Sequence, residues 1–250
     1  MNERLNEPLF YCETLNDSDE LVLTGEEAHH VTVQRRRIGE AIALFDGHGA
    51  VARGTIGALE RNQVRVRVEE RRREPPPAPA LELYCALPKG DRVAVLLDMA
   101  TQLGICRFTP IAWRRSVNAP GPRASERWRR ICLEACKQSR RLHLPEIASS
   151  STADAAVQHA KAAGTRILVA HLRADARPLS AIDLTRAARI GLFVGPEGGL
   201  TDEEVAALSK ENVDFVDLGP AILRIETAAI ALLAAVSCTA PRRGREPSKA

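Results

Sequence analysis

Four prolines within five positions separate two parts of this chain that follow different patterns. The stretch EERRREPPPAPA at 69–80 joins a charged run to these prolines. Proline can neither continue a helix nor donate a hydrogen bond in a central strand. The stretch therefore predicts a semi-rigid linker. The predicted divisions are a first domain over 1–72, a linker over 73–80, a second domain over 81–240 and a disordered basic tail over 241–250.

Short β-type segments fill the part before the prolines. QVRVRVE at 63–69 alternates apolar and polar residues with a period of two, as a half-buried strand does. IALF at 42–45 and VARGTI at 51–56 flank the turn DGHG at 46–49. Together with one short helix over 26–37, these segments predict a small β-barrel or sandwich.

Strand-like and helical segments alternate after the prolines. This rhythm predicts an α/β domain in which helices cover both faces of a mostly parallel sheet. The segments predicted as strands are 81–87, 166–171, 190–195 and 213–219, and those predicted as helices are 91–103, 125–141, 152–163, 201–210 and 227–238. Gly104 directly follows the first of these helices and is expected to end it.

The composition excludes several classes of protein. With 45% hydrophobic and 27% charged residues, the chain is expected to fold as a soluble globular protein. It contains no run of about 18 apolar residues, which argues against a membrane-spanning helix. The first ten residues, MNERLNEPLF, lack the apolar core of a secretory signal, so a cytoplasmic location is expected.

The six cysteines favour packing over metal binding. They form no C-x-x-C motif and no paired Cys/His spacing, so no metal site is expected. Cys132 and Cys136 lie four apart on a predicted helix, where they are expected to be small buried apolar residues. Reduced thiols also fit the cytoplasm.

Basic residues concentrate in one window of a chain whose net charge is only +3. Residues 107–141 hold ten Lys or Arg against two Glu. Trp128, Cys132 and Ala135 share the apolar face of the predicted helix there, and the arginines lie largely off it. The basic face is either a solvated surface or a contact for RNA phosphates.

Two glycine-bearing strand ends could hold a small ligand. FVGPEGGLTDEEV at 193–205 runs from an apolar strand through three glycines to a helix whose capping box is Thr201 and Glu204. VDLGPAILRIETAAIALL at 216–233 again ends a strand in Gly-Pro before an apolar helix. Ligands of open α/β sheets bind at the carboxyl ends of strands. The alternative is that both segments are surface turns that bind no ligand, with Arg224 and Glu226 forming an ion pair.

Three blocks of the sequence, GPEGGLTDEE, LGPAILRIETAA and EACKQSRRLHLPEI, resemble the signatures of the RsmE family. That family comprises 16S ribosomal RNA uridine N3-methyltransferases of the SPOUT superfamily. HHVTVQRRRIGE and LFDGHG resemble its N-terminal PUA-like β-barrel, which binds RNA. PKGDR, ATQLG and TPI resemble the start of its catalytic domain.

The resemblance implies a SPOUT domain with a C-terminal trefoil knot, S-adenosylmethionine (SAM) bound in the knot, a 16S rRNA substrate and a homodimer with a composite site. It implies Arg141, Arg224 and Glu197 as catalytic residues. The implied cofactor-binding residues are His171, Gly195, Pro196, Glu197, Gly198, Leu218, Gly219, Leu223, Arg224 and Thr227. Arg36 and Arg141 match family basic positions that are expected to bind RNA. Arg114, Arg115 and Arg140 are further predicted RNA-binding residues from the basic window, and Arg114 or Arg115 could take the role of the arginine that is usual at 221.

The chain departs from the family pattern at four positions. Met99 and Gln102 stand where the family usually has Lys and Glu, Arg114 where an acidic residue is common, and Ala221 where Arg is usual. The cofactor loops are unaffected, so the departures bear on the target nucleotide more than on methyl transfer. A noncatalytic RNA-binding protein, and a SPOUT enzyme that methylates another RNA or a ribose 2′-oxygen, remain alternatives.

Overall fold

The computed structural model describes residues 6–173 and 175–239. The basic tail predicted at 241–250 lies outside these residues. The described chain forms two compact units. The first runs to Pro76 and also includes Leu133–Leu144, and the second comprises the other described residues. The inclusion of Leu133–Leu144 in the first unit was not anticipated from the sequence.

A five-stranded sheet and one helix build the first unit. The strand order is β1-β3-β4-β5-β2, with β1 and β3 parallel and the other neighbours antiparallel. The predicted strands and the short helix are confirmed, whereas the short β1 and β2 were missed. The elements are β1 (Leu9–Tyr11), β2 (Glu20–Thr24), α1 (Gly25–Val33), β3 (Ala41–Phe45), β4 (Ala50–Leu59) and β5 (Gln63–Arg73).

The alternation in β5 sorts its side chains between core and solvent. Val64 and Val66 are buried, whereas Arg67 is exposed. The valines pack in a cluster with Phe10 and Ile42. Each such fully buried side chain contributes about 1.5–3 kcal/mol to stability.

The charged run before the prolines is part of a strand, not of the linker. β5 continues to Arg73, which pairs with Ala50 of β4. Hydrogen bonds of the β4–β5 ladder outweigh the low strand propensity of this charged sequence. Since β6 begins at Ala80, the segment that joins the two strands is 74–79.

A parallel sheet forms the second unit, as predicted. Its order is β11-β13-β10-β12-β6-β7-β8, with β9 beside β7, and every described pairing is parallel. The strands are β6 (Ala80–Cys85), β7 (Ile105–Ala112), β8 (Glu146–Ile147), β9 (Ser151–Thr152), β10 (Arg166–Ala170), β11 (Arg177–Pro178), β12 (Arg189–Val194) and β13 (Asp214–Asp217). The helices are α2 (Arg92–Leu103), α3 (Ala124–Ser139), α4 (Ala153–Ala162), α5 (Asp202–Ser209) and α6 (Ile225–Thr239), with a 3₁₀ turn at Leu179–Ala181.

The helices end where local chemistry requires. Gly104 terminates α2 in the left-handed region, with φ 96°, as the sequence predicts. Helix α3 ends at Ser139 and not at Arg141, because Arg140 adopts φ 61°. Cys132 and Cys136 are buried, as expected, on that helix.

Helix α6 packs against α2 and against strands β6 and β12. It buries Ala229, Leu232, Leu233 and Val236 in doing so. Within residues 6–173 and 175–239, no helix combines the length and apolar character needed to cross a bilayer.

Candidate functional site

Three strand ends meet at the carboxyl edge of the parallel sheet. Ala170, the last residue of β10, pairs with Val194 of β12 on one side and with Val216 of β13 on the other. The two glycine-bearing loops therefore flank the end of β10, at the kind of edge where open α/β sheets bind ligands.

These loops enclose a cavity of about 370 Å³. The predicted cofactor residues that line it are His171, Gly195, Pro196, Glu197, Gly198, Leu218, Gly219 and Leu223. Lining residues missed from the sequence are Ala170, Leu172, Val194, Gly199, Leu200, Val216, Ala221, Ile222, Ile225 and Ala228. All of these except Ala170 and Leu172 lie within the two motifs, so their position in the sequence was the available signal.

Arg224 and Thr227 do not line the cavity. Helix α6 starts at Ile225, and its lining residues Ile225 and Ala228 lie three apart on one face. The helical period turns Thr227 away from that face, whereas Arg224 precedes the helix, and both residues are exposed. Glu226 does not form the Arg224 pair considered above, because its Oε1 lies 3.6 Å from Nη1 of Arg92.

The loop after β12 is held in a tight conformation. The Gly199 amide donates to the Pro196 carbonyl at 2.9 Å. The predicted capping box is confirmed: the Glu204 amide donates to Thr201 Oγ1 at 3.3 Å, and Glu204 Oε2 accepts from the Thr201 amide at 2.8 Å. A Cβ added to Gly195 would lie 2.9 Å from Cδ2 of the buried Leu200. A side chain at position 195 would therefore require Leu200 or the loop to move.

Aliphatic side chains and backbone form most of the lining. Its two titratable side chains are the imidazole of His171 and the carboxylate of Glu197, and none of its residues is Lys or Arg. Nδ1 of His171 is buried without a hydrogen-bond partner among the described residues. Burial, reinforced by the charge of Arg173, lowers the pKa of His171, so the ring is neutral at pH 7. The cavity thus suits an uncharged or cationic small molecule.

Arg115, predicted to bind RNA, contacts the loop after β12. Its Nη1 donates to the Gly198 carbonyl at 2.8 Å and lies 3.4 Å from the Leu200 carbonyl. The adjacent Arg114 is exposed and donates its backbone amide to Glu204 Oε1 at 2.8 Å.

The first unit brings two other predicted RNA residues, Arg36 and Arg140, into one polar groove of about 540 Å³. Nε of Arg36 is buried and has no hydrogen-bond partner among the described residues, and its Nη1 lies 3.5 Å from Glu40. Arg140 donates to the carbonyl of Glu7. The groove is lined by Asn6, Pro8, Leu9, Gln34, Arg36, Glu134, Lys137, Gln138 and Arg140.

Arg141 lines neither the cavity nor this groove. It is half-buried, and its amide donates to the Cys136 carbonyl at 3.0 Å. Burial lowers the pKa of His143, and the charge of Arg141 acts in the same direction. Of the predicted catalytic residues in the second unit, Glu197 lines the cavity and Arg224 does not, and Arg141 belongs to the first unit.

Three side chains of the first unit that could bind a metal ion instead surround the ammonium group of a lysine. Glu27, His30 and Glu134 place ligand atoms within 4.8 Å of one another. Nζ of Lys137 lies 2.9 Å from each carboxylate and 3.1 Å from Nδ1 of His30. The geometry is that of an ion-pair network between α1 and α3.

Comparisons with known proteins agree with this architecture. The RNA methyltransferase domain family matches residues 74–237, and the RNA methyltransferase PUA domain family matches residues 23–69. The ribosomal RNA small subunit methyltransferase E of Mycobacterium bovis is 36% identical over 94% of this chain and 92% of its own length. That of Bacillus subtilis is 30% identical over 86% of this chain and 88% of its own length.

A solved structure extends the likeness to the whole fold. The ribosomal RNA small subunit methyltransferase E of Neisseria gonorrhoeae, bound to S-adenosyl methionine, superposes with a TM-score of 0.84. It is 28% identical and covers 93% of this chain and 97% of its own. The chain therefore belongs to the ribosomal RNA small subunit methyltransferase E, or RsmE, family, in which a PUA domain precedes an RNA methyltransferase domain.

Proposed function

We propose that this protein is a SAM-dependent methyltransferase that methylates N3 of a uridine in the 16S rRNA of the small ribosomal subunit. The observation that carries the proposal is the glycine-lined cavity at three adjacent strand ends. It lies within the part of the chain that matches the RNA methyltransferase domain. The Neisseria relative, bound to SAM, supports the choice of cofactor.

The residues of the cavity fit SAM. A volume of about 370 Å³ lies in the range of small-molecule sites, which are mostly apolar with a few polar groups. Aliphatic side chains such as Leu218 and Leu223 can contact a flat base, and the exposed backbone of the glycine loops can direct hydrogen bonds. A cationic sulfonium is tolerated because the lining carries one carboxylate, a neutral imidazole and no Lys or Arg.

SAM, when bound, supplies an electrophilic methyl group. The protein then has to present an unpaired uracil to it, because N3 lies on the Watson–Crick edge. Removing the N3 proton leaves an anion, which Arg141 or Arg224 would stabilise. Glu197, at the cavity, would orient the loop or steer the proton, with solvent as its final acceptor.

RNA contact is assigned to the groove that contains Arg36 and Arg140. A buried guanidinium nitrogen without a partner, next to a second arginine, suits phosphate oxygens. We also place the protein in the cytoplasm and expect the trefoil knot in its second unit.

A homodimer is proposed from exposed apolar residues beside the cofactor loops. Ile222, which lines the cavity, is 90% exposed, and Val117, two residues after Arg115, is 88% exposed. Large apolar side chains this exposed favour a covering surface. A second copy that covers them would complete a composite site.

Transfer of tritiated methyl groups from SAM to small ribosomal subunits that lack the modification tests the function. We expect label in the 16S rRNA and 3-methyluridine on nucleoside mass spectrometry. Label in another RNA, or in a ribose 2′-oxygen, would support the second alternative. Absence of SAM binding in calorimetry would favour a noncatalytic RNA-binding protein.

Arg141→Ala is expected to lower the methylation rate about tenfold, while the dissociation constant of SAM stays within about twofold. Loss of one cation that stabilises a developing anion raises the barrier without affecting a ligand it does not touch. Single-turnover methylation and calorimetry separate the two effects. An unchanged rate would remove Arg141 from the catalytic site.

Acid is expected to weaken SAM binding through His171. Its pKa is lowered from the ordinary 6.5, so the ring is neutral above that pH and gains its proton only in more acidic solution. A cationic imidazolium at the cavity would repel the sulfonium and reduce affinity about threefold to tenfold between about pH 7 and pH 5. Calorimetry over that range should give a flat curve for His171→Gln. Parallel curves for the two proteins would contradict the assignment.

A further inference from the structure

The segment that follows β7 holds the loop that lines the cofactor cavity. Nη1 of Arg115 donates to the Gly198 carbonyl at 2.8 Å and reaches the Leu200 carbonyl at 3.4 Å. The Arg114 amide donates to Glu204 Oε1 at the start of α5. Arg114 and Arg115 therefore bind the chain at both ends of the segment 198–204.

The segment itself is a closed turn. The Trp113 amide donates to Ser116 Oγ at 3.0 Å, and the Ser116 amide donates back to the Trp113 carbonyl at 3.0 Å. Trp113 is buried, which anchors the turn in the core. Arg115 therefore projects from a defined backbone position and not from a free loop.

The aliphatic stem of Arg115 lies beside Gly198. A Cβ added at Gly198 would lie 3.3 Å from Cβ and 3.4 Å from Cδ of Arg115. Because residue 198 has no side chain, Arg115 can lie this close to the loop. On the other side, the Gly199 amide is bonded to the Pro196 carbonyl. The peptide group between residues 198 and 199 is held at both its oxygen and its nitrogen.

We propose that Arg115 is a positioning residue of the cofactor loop and does not bind RNA. By binding the carbonyls of Gly198 and Leu200, it fixes the backbone that lines the cavity. This inference rests on the proposed SAM binding by the same cavity, and it replaces the RNA role expected for Arg115 from the sequence. Preorganising a loop improves affinity by reducing the ordering that binding requires.

Arg115→Met tests the proposal in the full-length protein, because methionine keeps an apolar stem against Gly198 and lacks the donors. Loss of charge-assisted hydrogen bonds is expected to raise the dissociation constant of SAM about tenfold. Arg115→Lys is expected to restore most of the affinity, since an ammonium can reach the same carbonyls. Arg123→Met is the matched control, because Arg123 is an exposed arginine of the same basic stretch and lines neither the cofactor cavity nor the groove of the first unit.

Three readouts decide the outcome. In Arg115→Met without SAM, hydrogen exchange of the Gly199 amide should become faster. The KM for SAM should rise with little change in kcat. Fluorescence anisotropy with a 16S rRNA fragment should show an unchanged affinity for RNA. Weaker RNA binding with normal SAM binding would overturn the proposal. So would equal SAM affinity in Arg115→Met and the wild-type protein. Failure of the wild-type protein to bind SAM would instead refute the proposed function.

Discussion

Gly195→Val is expected to weaken SAM binding about 10-fold to 100-fold. The first atom of any side chain at this position would lie 2.9 Å from Cδ2 and 3.4 Å from Cγ of Leu200, which is only 6% exposed. Leu200 cannot withdraw into solvent, so the clash has to move the loop that lines the cavity. Overpacking of this kind costs about 1–3 kcal/mol, and 1.4 kcal/mol corresponds to a tenfold loss of affinity.

Calorimetry with SAM measures this effect. Gly121→Val is the matched control, because a Cβ at Gly121 meets nothing within 4 Å and its backbone does not need a positive φ. We expect the control to bind SAM like the wild-type protein. Normal binding by Gly195→Val would show that the cavity at the three strand ends is not the cofactor site.

Gly54→Ala is expected to destabilise the protein by about 3 kcal/mol or more. A Cβ there would lie 2.1 Å from the carbonyl oxygen of Arg67, in the neighbouring strand β5. The register of the β4–β5 ladder shifts between Arg53 and Gly54, so a bulge brings the two backbones together at this point. Neither backbone can move without breaking ladder hydrogen bonds, which makes this clash more costly than overpacking between side chains.

The same substitution three residues later in the same strand is the control. A Cβ at Gly57 comes no nearer than 3.7 Å to the Arg65 carbonyl, so Gly57→Ala should leave stability almost unchanged. Thermal unfolding should show a loss of about 6–12 °C for Gly54→Ala relative to Gly57→Ala. Equal melting temperatures of the two variants would mean that the strands are not in the described register.

Periodicity and capping residues predicted the elements that depend on local chemistry. The alternation in β5, the glycine end of α2 and the capping box of Thr201 and Glu204 are all found as expected. The predictions that failed did so for two different physical reasons. Strand β1 is only three residues long, which leaves no period to detect. The charged end of β5 becomes a strand because its partner β4 is present, and the partner cannot be inferred from the run itself.

The site was only partly predictable for a similar reason. The two glycine motifs identify both loops, and the residues within them reach the cavity. Arg224 and Thr227 were placed with them because they are near in sequence, but both are exposed and neither lines the cavity, and the helical period explains this for Thr227 alone. Arg115 was assigned by charge alone, whereas its contact lies 83 residues further along the chain, at Gly198.

By itself, the sequence determined the kinds of element, the glycines that permit tight loops and, through its motifs, the family. Those properties follow from backbone conformation and side-chain chemistry over a few neighbouring residues. Only the tertiary structure decided that β10 lies between the two glycine loops, that Leu133–Leu144 packs with the first unit, and that the exposed Arg115 binds the carbonyls of a distant loop. Those outcomes depend on strand order and on contacts between distant segments, which no local pattern encodes.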